Sequence, residues 1–119
     1  MEFTNMENLS LSEYQNEAMR TAIYPLPDGD GFPVYPILGL TGEAGEVAEK
    51  VKKVLRDKDG IASKDDLREI AKELGDVLWY VAACAKHTGY SLEEIAQMNL
   101  DKLNDRKDRG ALGGSGDNR

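Results

Sequence analysis

The 119-residue chain has 40% hydrophobic and 31% charged residues, a composition that excludes a membrane span and argues against wholesale disorder. Its length predicts one domain with one core. The formal net charge is −7, and a long polyanion is repelled by such a chain unless basic residues cluster, so we expect no nucleic-acid partner. Cys84 is the only cysteine and no secretory signal pattern is present, so we expect a cytoplasmic protein.

The first half of the chain predicts two helices separated by a loop. The first helix is LSLSEYQNEAMRTAIY, where Ser12 is the candidate N-cap with Gln15 three residues later, and it ends before Pro25. Residues 24–36 hold all four prolines and predict an irregular but ordered loop. From about residue 37 to 56, apolar residues recur at helical spacing and predict the second helix, which DKDG ends.

Start and stop signals delimit two further helices. Ser63 and the acid three residues later predict the start of the third helix, DLREIAKELGDVLWYVAACAKH, and Gly89 predicts its end. Ser91 opens a capping-box pattern for the fourth helix, SLEEIAQMNLDKLNDRK. We therefore predict an all-α, four-helix bundle-like fold, with a single domain over residues 1–109 and a flexible glycine-rich tail over residues 110–119.

Two pairs of acidic residues share one spacing on consecutive helices. Glu43 and Glu46 lie three residues apart, so they occupy one side of their helix. The same spacing separates Glu73 from Asp76 on the next helix. Carboxylates that enter a buried surface need compensation, which a hard cation such as Mg²⁺ would supply. Basic side chains are the other source, and three are available: Lys50, Lys53 and Lys72.

Each of these motifs also has an ordinary structural interpretation. Either acid pair alone is more often a solvated helix face, but their repetition beside Gly42, Gly45 and the apolar run VLWYVAACA favours a metal site. The two glycines have two interpretations. They allow a phosphate or a backbone to approach the acids closely, or they allow close packing of helices. A ferritin-like di-iron site needs two Glu-x-x-His motifs and fails, because His87 is the only histidine. The alternative function is a non-catalytic helical dimerisation or regulatory module.

The pattern GEAGEVAEKVKK, followed by KELGDVLWY, resembles the MazG-like nucleoside triphosphate pyrophosphohydrolases of the all-α NTP pyrophosphatase superfamily. The hallmark of that family is ExxE followed at a limited distance by ExxD. The resemblance covers roughly residues 11–109. It implies hydrolysis of an NTP or dNTP between the α and β phosphates to a nucleoside monophosphate and pyrophosphate. It also implies Mg²⁺ as the cofactor, with Mn²⁺ as a substitute.

The resemblance further implies roles for individual residues. The matches to the metal ligands are Glu43, Glu46, Glu73 and Asp76. The matches to substrate-binding side chains are Tyr80, Asn99 and Lys102, to which we add Arg106 and Lys53. Glu46 is our preferred acceptor for the proton of the attacking water. Residues 24–36 depart from the shortest relatives and leave base recognition undefined.

The third helix predicts self-association. One apolar stripe along it supplies a complete core face: Leu67, Ile70, Leu74, Val77, Leu78 and Val81. Trp79, Tyr80 and Ala83 lie on another side and would form an exposed apolar patch of the kind that marks an interface. We therefore expect a homo-oligomer, a dimer or a tetramer, whose contact includes this second stripe. The family resemblance also implies active sites at or near subunit contacts.

Overall fold

The computed structural model describes residues 7–25 and 32–119. These residues form four α-helices and no strand: α1 (Leu11–Met19), α2 (Val34–Asp57), α3 (Lys64–Thr88) and α4 (Leu92–Asp108). The predicted all-α fold is confirmed. Among the described helices, none combines the length and the apolar content that crossing a bilayer requires.

Local capping determines where the helices begin and end. Ser63 and Ser91 each open a capping box, as the sequence predicts. Gly89 ends α3 with φ 83°, a left-handed conformation that glycine adopts without a Cβ clash. The predicted cap of α1 is wrong: Ser10, not Ser12, accepts a first-turn amide at 3.0 Å. Serine caps a helix well at either position, so residue type alone does not decide between Ser10 and Ser12.

The second helix begins earlier than predicted. It starts at Val34, inside the segment predicted as a loop, rather than near Ile37. Pro36 is tolerated in this first turn because the first amides of a helix have no intrahelical acceptor. The rest of the proline-rich loop prediction falls on residues 26–31, which lie outside the described residues.

The helices α2 and α3 pack side by side, and α2 contacts no other helix in the described part of the chain. The pair runs antiparallel, with Lys58 Nζ 2.7 Å from Asp66 Oδ2 at one end. At the other end, α1 and α4 pack on α3 around a small core. Gln15 joins all three of these helices, because its amide donates to the Ala82 carbonyl and its carbonyl accepts the Leu92 amide, both at 3.1 Å.

The two apolar sides of α3 are each covered only in part, which differs from the prediction. Ala83 is fully buried, and Trp79 Nε1 donates to Thr21 Oγ1 at 2.9 Å, so the chain itself covers part of the stripe expected at an oligomer contact. Leu67 and Leu74, expected in the core, are 57% and 52% exposed. The reason is that α1 crosses the tryptophan side of α3. Helical periodicity identifies an apolar side but not the element that covers it.

An exposed apolar face runs along the α2–α3 pair. Its exposed members on α3 are Leu67, Ala71, Leu74 and Leu78. Its exposed members on α2 are Ile37, Ala44, Ala48, Val51 and Leu55. At about 100° per residue, each stripe lies roughly a quarter turn from the helix contact, and in an antiparallel pair both turn to the same side. The radius of gyration, 17.2 Å, exceeds the roughly 13.5 Å of a compact domain of this length.

Candidate metal centre

Three carboxylates from two helices converge on one point. Glu43 of α2 and Glu73 and Asp76 of α3 each place one carboxylate oxygen so that all three oxygens lie within 4.8 Å of one another. We call these residues the carboxylate trio. The i, i+3 spacing brings the two α3 acids to one side of that helix. Packing of α2 against α3 brings Glu43 to them, and Glu43 is partly buried.

The charges of the trio repel one another. Burial raises the pKa of Glu43, and the charges of Asp76, Glu73 and Glu46 raise it further, in that order. A raised carboxyl pKa means that the ionised form is disfavoured where it stands. A divalent cation would reverse this, because it stabilises the ionised form of every carboxylate that it contacts.

Lys50 compensates part of the negative charge. Its Nζ lies 3.7 Å from Glu73 Oε1 and 4.0 Å from Glu69 Oε2. The basic compensation considered from the sequence is therefore present for Glu73, at salt-bridge rather than close hydrogen-bond distance. Lys72 pairs with Glu69 at 3.2 Å and does not reach the trio. Two of the three trio carboxylates have no ion pair of this kind among the described residues.

Glu46 is the predicted ligand that the structure leaves outside the trio. It is exposed on α2, one turn beyond Glu43, and no oxygen of Glu46 joins the group of three. It is close enough to raise the pKa of Glu43. A Cβ added at Gly42 or Gly45 would meet no described atom within 4 Å, so these glycines face open space and pack against no helix of the described chain.

A cleft of about 360 Å³ opens beside the trio, and its lining was only partly foreseen. The lining residues are Thr21, Glu43, Asp76, Trp79 and Tyr80. Tyr80 was predicted as a substrate contact, whereas Thr21 and Trp79 were not. The spacing of three residues from Asp76 is a signal that could have placed Trp79 here. No sequence signal places Thr21, which reaches the cleft from the turn after α1.

Aromatic rings form one wall of this region. The ring centroids of Trp79 and Tyr80 lie 4.9 Å apart in an edge-to-face arrangement, and Tyr24 stacks on Tyr35 at 5.6 Å. The hydroxyl of Tyr24 lies 2.6 Å from His87 Nε2. The rings therefore connect residues on both sides of the 26–31 segment to α3, and of these rings those of Trp79 and Tyr80 line the cleft.

Close packing against α2 holds the Tyr80 ring in place. A Cβ at Gly39 would overlap this ring, so the missing side chain of Gly39 is what admits it. Burial raises the pKa of the Tyr80 hydroxyl, and Tyr35 and Glu43 raise it further. Because its pKa is raised, the Tyr80 hydroxyl is neutral at physiological pH and is a hydrogen-bond donor, for which Tyr35 is one acceptor.

The other predicted substrate contacts lie elsewhere in the single chain. Asn99, Lys102 and Arg106 share one side of α4, which packs on α1 and α3 but not on α2 in the described residues. Lys53 lines a separate cleft of about 190 Å³ at the far end of the α2–α3 pair. A single chain thus brings together three of the four predicted metal ligands and Tyr80. It does not bring the other predicted substrate contacts, Asn99, Lys102, Arg106 and Lys53, to the same place.

Residues 36–110 match the MazG nucleotide pyrophosphohydrolase domain. The chain belongs to the MazG family. The matched region contains α3, α4 and nearly all of α2, and with them every site residue predicted from the sequence. The Gene 37 protein of Mycobacterium phage L5 is 51% identical over 109 residues, which cover 89% of this chain and 96% of that protein. No solved structure gives a significant match.

Membership in the MazG family supports a functional interpretation of the carboxylate trio, which its geometry alone does not. Exposed acidic groups are common in proteins without a bound ion. In this MazG domain, however, the trio comes from the two acid motifs that resemble the family hallmark, and it lies at the mouth of a cleft. Nucleotide chemistry is therefore the first function to consider for this site.

Proposed function

We propose that this MazG domain is a Mg²⁺-dependent nucleoside triphosphate pyrophosphohydrolase acting in the cytoplasm. It cleaves an NTP or dNTP between the α and β phosphates and releases a nucleoside monophosphate and pyrophosphate. The observation that carries the proposal is the carboxylate trio, Glu43, Glu73 and Asp76, with oxygens within 4.8 Å of one another beside an open cleft. A triphosphate is itself anionic and enters such an acidic site only with cations.

The donor set of the trio suits a hard cation. All three donors are carboxylate oxygens, the ligands that Mg²⁺ prefers, and Mn²⁺ accepts the same ligands. The trio leaves coordination positions for water and phosphate oxygens, which is usual for Mg²⁺ sites in enzymes of phosphate chemistry. When bound, Mg²⁺ would neutralise phosphate charge and lower the pKa of a coordinated water.

The side chains around the trio have separate roles in this proposal. Glu46, exposed beside the trio, accepts the proton of the attacking water. It also remains a proposed fourth ligand, because it lies one turn from Glu43 on the same side of α2. Tyr80 donates a hydrogen bond in the cleft, and Trp79 excludes water from one side. The phosphate contacts proposed outside the cleft are Asn99, Lys102, Arg106 and Lys53.

We also propose a homo-oligomer whose minimal unit is a dimer formed through the exposed apolar face. Among the described residues, the buried hydrophobic side chains are mostly alanines, a small core for a domain of this length. Leu55 and Leu67 are 64% and 57% exposed on the same side of the α2–α3 pair. A contiguous apolar surface of this kind marks a contact with another protein, and a two-fold contact would bury the face of each copy against the other.

The test is a screen of the common NTPs and dNTPs for pyrophosphate release, with and without Mg²⁺. We expect monophosphate and pyrophosphate in equal amounts from at least one substrate, and none in the presence of a chelator. The alternative, a non-catalytic helical module, predicts no release and no saturable heat when Mg²⁺ is titrated into the protein by calorimetry. That pair of negative results would refute the proposal.

A further inference from the structure

Residues 110–119, the tail, turn back along α4. Gly110 follows the helix with φ 69°, and the Ala111 amide donates to the Arg106 carbonyl at 2.7 Å. Gly114 and Gly116 also have left-handed backbones, with φ 88° and 85°. Residues with side chains rarely adopt this conformation, so these glycines allow the reversal.

The reversal places Asp117 on two cations of α4. Lys102 Nζ donates to Asp117 Oδ1 at 3.0 Å. Arg106 Nη2 donates to the Asp117 backbone carbonyl at 2.8 Å and lies 3.4 Å from Asp117 Oδ1 and from the Gly116 carbonyl. The hydrogen bond and charge of Lys102, followed by those of Arg106, lower the pKa of Asp117, which is therefore ionised at neutral pH.

The tail satisfies Arg106 only in part. Arg106 is 5% exposed, and its Nε is buried without a hydrogen-bond partner in the described structure. A guanidinium has five N–H donors in a fixed fork that matches two oxygens of one phosphate or carboxylate. Here a single nitrogen is engaged, mainly by backbone carbonyls. A buried cation with an unused donor is better satisfied by an anion that offers several oxygens.

The Asp117 contact is also easy to displace. The Asp117 side chain is 80% exposed and that of Lys102 is 39% exposed, so water competes for both partners. Exposed ion pairs contribute little to stability, and salt weakens them. A polyphosphate carries more charge and more acceptor oxygens than one carboxylate, so it binds Lys102 and Arg106 more strongly than Asp117 does.

We infer that Asp117 competes with polyphosphate for Lys102 and Arg106, so that the tail is an autoinhibitory strap which an anionic ligand displaces. The inference rests on the proposed function, which assigns these two cations to substrate phosphates. Asp117 lies beyond residues 36–110, the part of the chain that matches the MazG domain, so the strap is an addition to that domain. The apparent affinity for a polyphosphate is then reduced by the fraction of molecules in which the strap is closed.

The experiment measures binding of inorganic pyrophosphate by calorimetry in metal-free buffer, where no cation links the ligand to the carboxylate trio. Asp117→Asn should tighten binding about two- to fivefold, the range expected for loss of an exposed ion-pair competitor. A truncation after Ala111 keeps the turn that ends α4 and should tighten binding at least as much. Asp101→Asn is the matched control, because Asp101 is an exposed acid on the same helix whose Oδ1 accepts a hydrogen bond from Gln97 Nε2 at 2.8 Å rather than from the tail. It removes the same charge and should change little.

Three results would contradict the proposal that the tail is an autoinhibitory strap. Unchanged affinity in both Asp117→Asn and the truncated chain would show that the tail does not compete. Weaker binding in the truncated chain would show that the tail builds the site rather than blocks it. Absence of pyrophosphate binding in every variant would remove the cations as an anion site. Mg²⁺-dependent NTP hydrolysis by the same preparations would, in each case, leave the proposed function standing.

Discussion

The substitution Glu43→Gln should stabilise the metal-free protein and abolish its response to Mg²⁺. Glutamine keeps the shape and volume of the side chain but removes one of three negative charges whose oxygens lie within 4.8 Å of one another. Without a cation those charges only repel one another, so the neutral glutamine side chain removes repulsion from the folded state and stabilises it. With a cation the same change removes a ligand. The sign of the effect on stability should therefore reverse between the two conditions.

The magnitude follows from the separation of the charges. Two unit charges 4.8 Å apart repel by about 1 kcal/mol at the dielectric constant of water and by about 3.5 kcal/mol at an effective value of about 20. The cleft is open and Asp76 is exposed, so the lower end applies. Two relieved pairs, discounted for solvent screening, predict a gain of about 1 to 2 kcal/mol in the metal-free state. At about 4 °C per kcal/mol for a domain of this size, Tm should rise by about 4 to 8 °C.

The gain should depend on pH. The pKa of Glu43 is raised above its ordinary value of 4.5, first by burial and then by the neighbouring acids. Below that ordinary value the carboxyl is protonated in the folded and the unfolded chain alike, and wild type and variant should be equally stable. As pH rises through the raised folded-state pKa, wild type loses stability and the variant does not. The difference in Tm should therefore appear only above about pH 4.5.

The assay is thermal unfolding of metal-free and Mg²⁺-loaded protein at several pH values, with turnover measured in parallel. Glu49→Gln is the matched control, since Glu49 is an exposed acid on the same helix that pairs with Lys52 at 2.9 Å. It should show no gain and a normal Mg²⁺ response. Glu43→Gln should show no Mg²⁺-dependent rise in Tm and no turnover. Equal Tm values for metal-free wild type and variant, with equal responses to Mg²⁺, would refute the convergence of the trio on a cation.

Three further predictions concern binding, packing and assembly. Lys102→Ala should raise the KM for a nucleoside triphosphate more than it lowers kcat, and steady-state kinetics with both constants unchanged would remove Lys102 from the site. Gly39→Ala should destabilise the fold by about 1 to 3 kcal/mol, because its Cβ would overlap the ring of Tyr80. In the same unfolding experiment Gly42→Ala should be neutral or stabilising by up to about 1 kcal/mol, because its Cβ meets nothing. Leu74→Glu should dissociate the oligomer in light scattering, whereas Ile23→Glu should not, because Ile23 is 96% exposed but lies between α1 and α2, outside the apolar face. A monomeric wild type at micromolar concentration would contradict the proposed apolar contact.

The sequence by itself determined the local features of this protein. The capping boxes at Ser63 and Ser91 and the stop at Gly89 appear where the sequence places them, because capping depends on side chains within one turn of the helix end. The pairing of acids on one side of a helix is local in the same sense. The two motifs also carry the family resemblance, and residues 36–110 match the MazG domain.

Only the tertiary structure decided which surfaces meet. Two apolar sides of α3 are visible in the sequence, but the packing of α1 over Trp79 left Leu67 and Leu74 exposed. The trio formed without Glu46, although Glu46 and Glu43 lie on one side of α2. Two residues on the same side of a helix still point toward different neighbours. The reversal that brings Asp117 onto α4 depends on three left-handed glycines in a segment with no periodicity. Each of these outcomes depends on contacts between residues far apart in the chain, which helical periodicity does not encode.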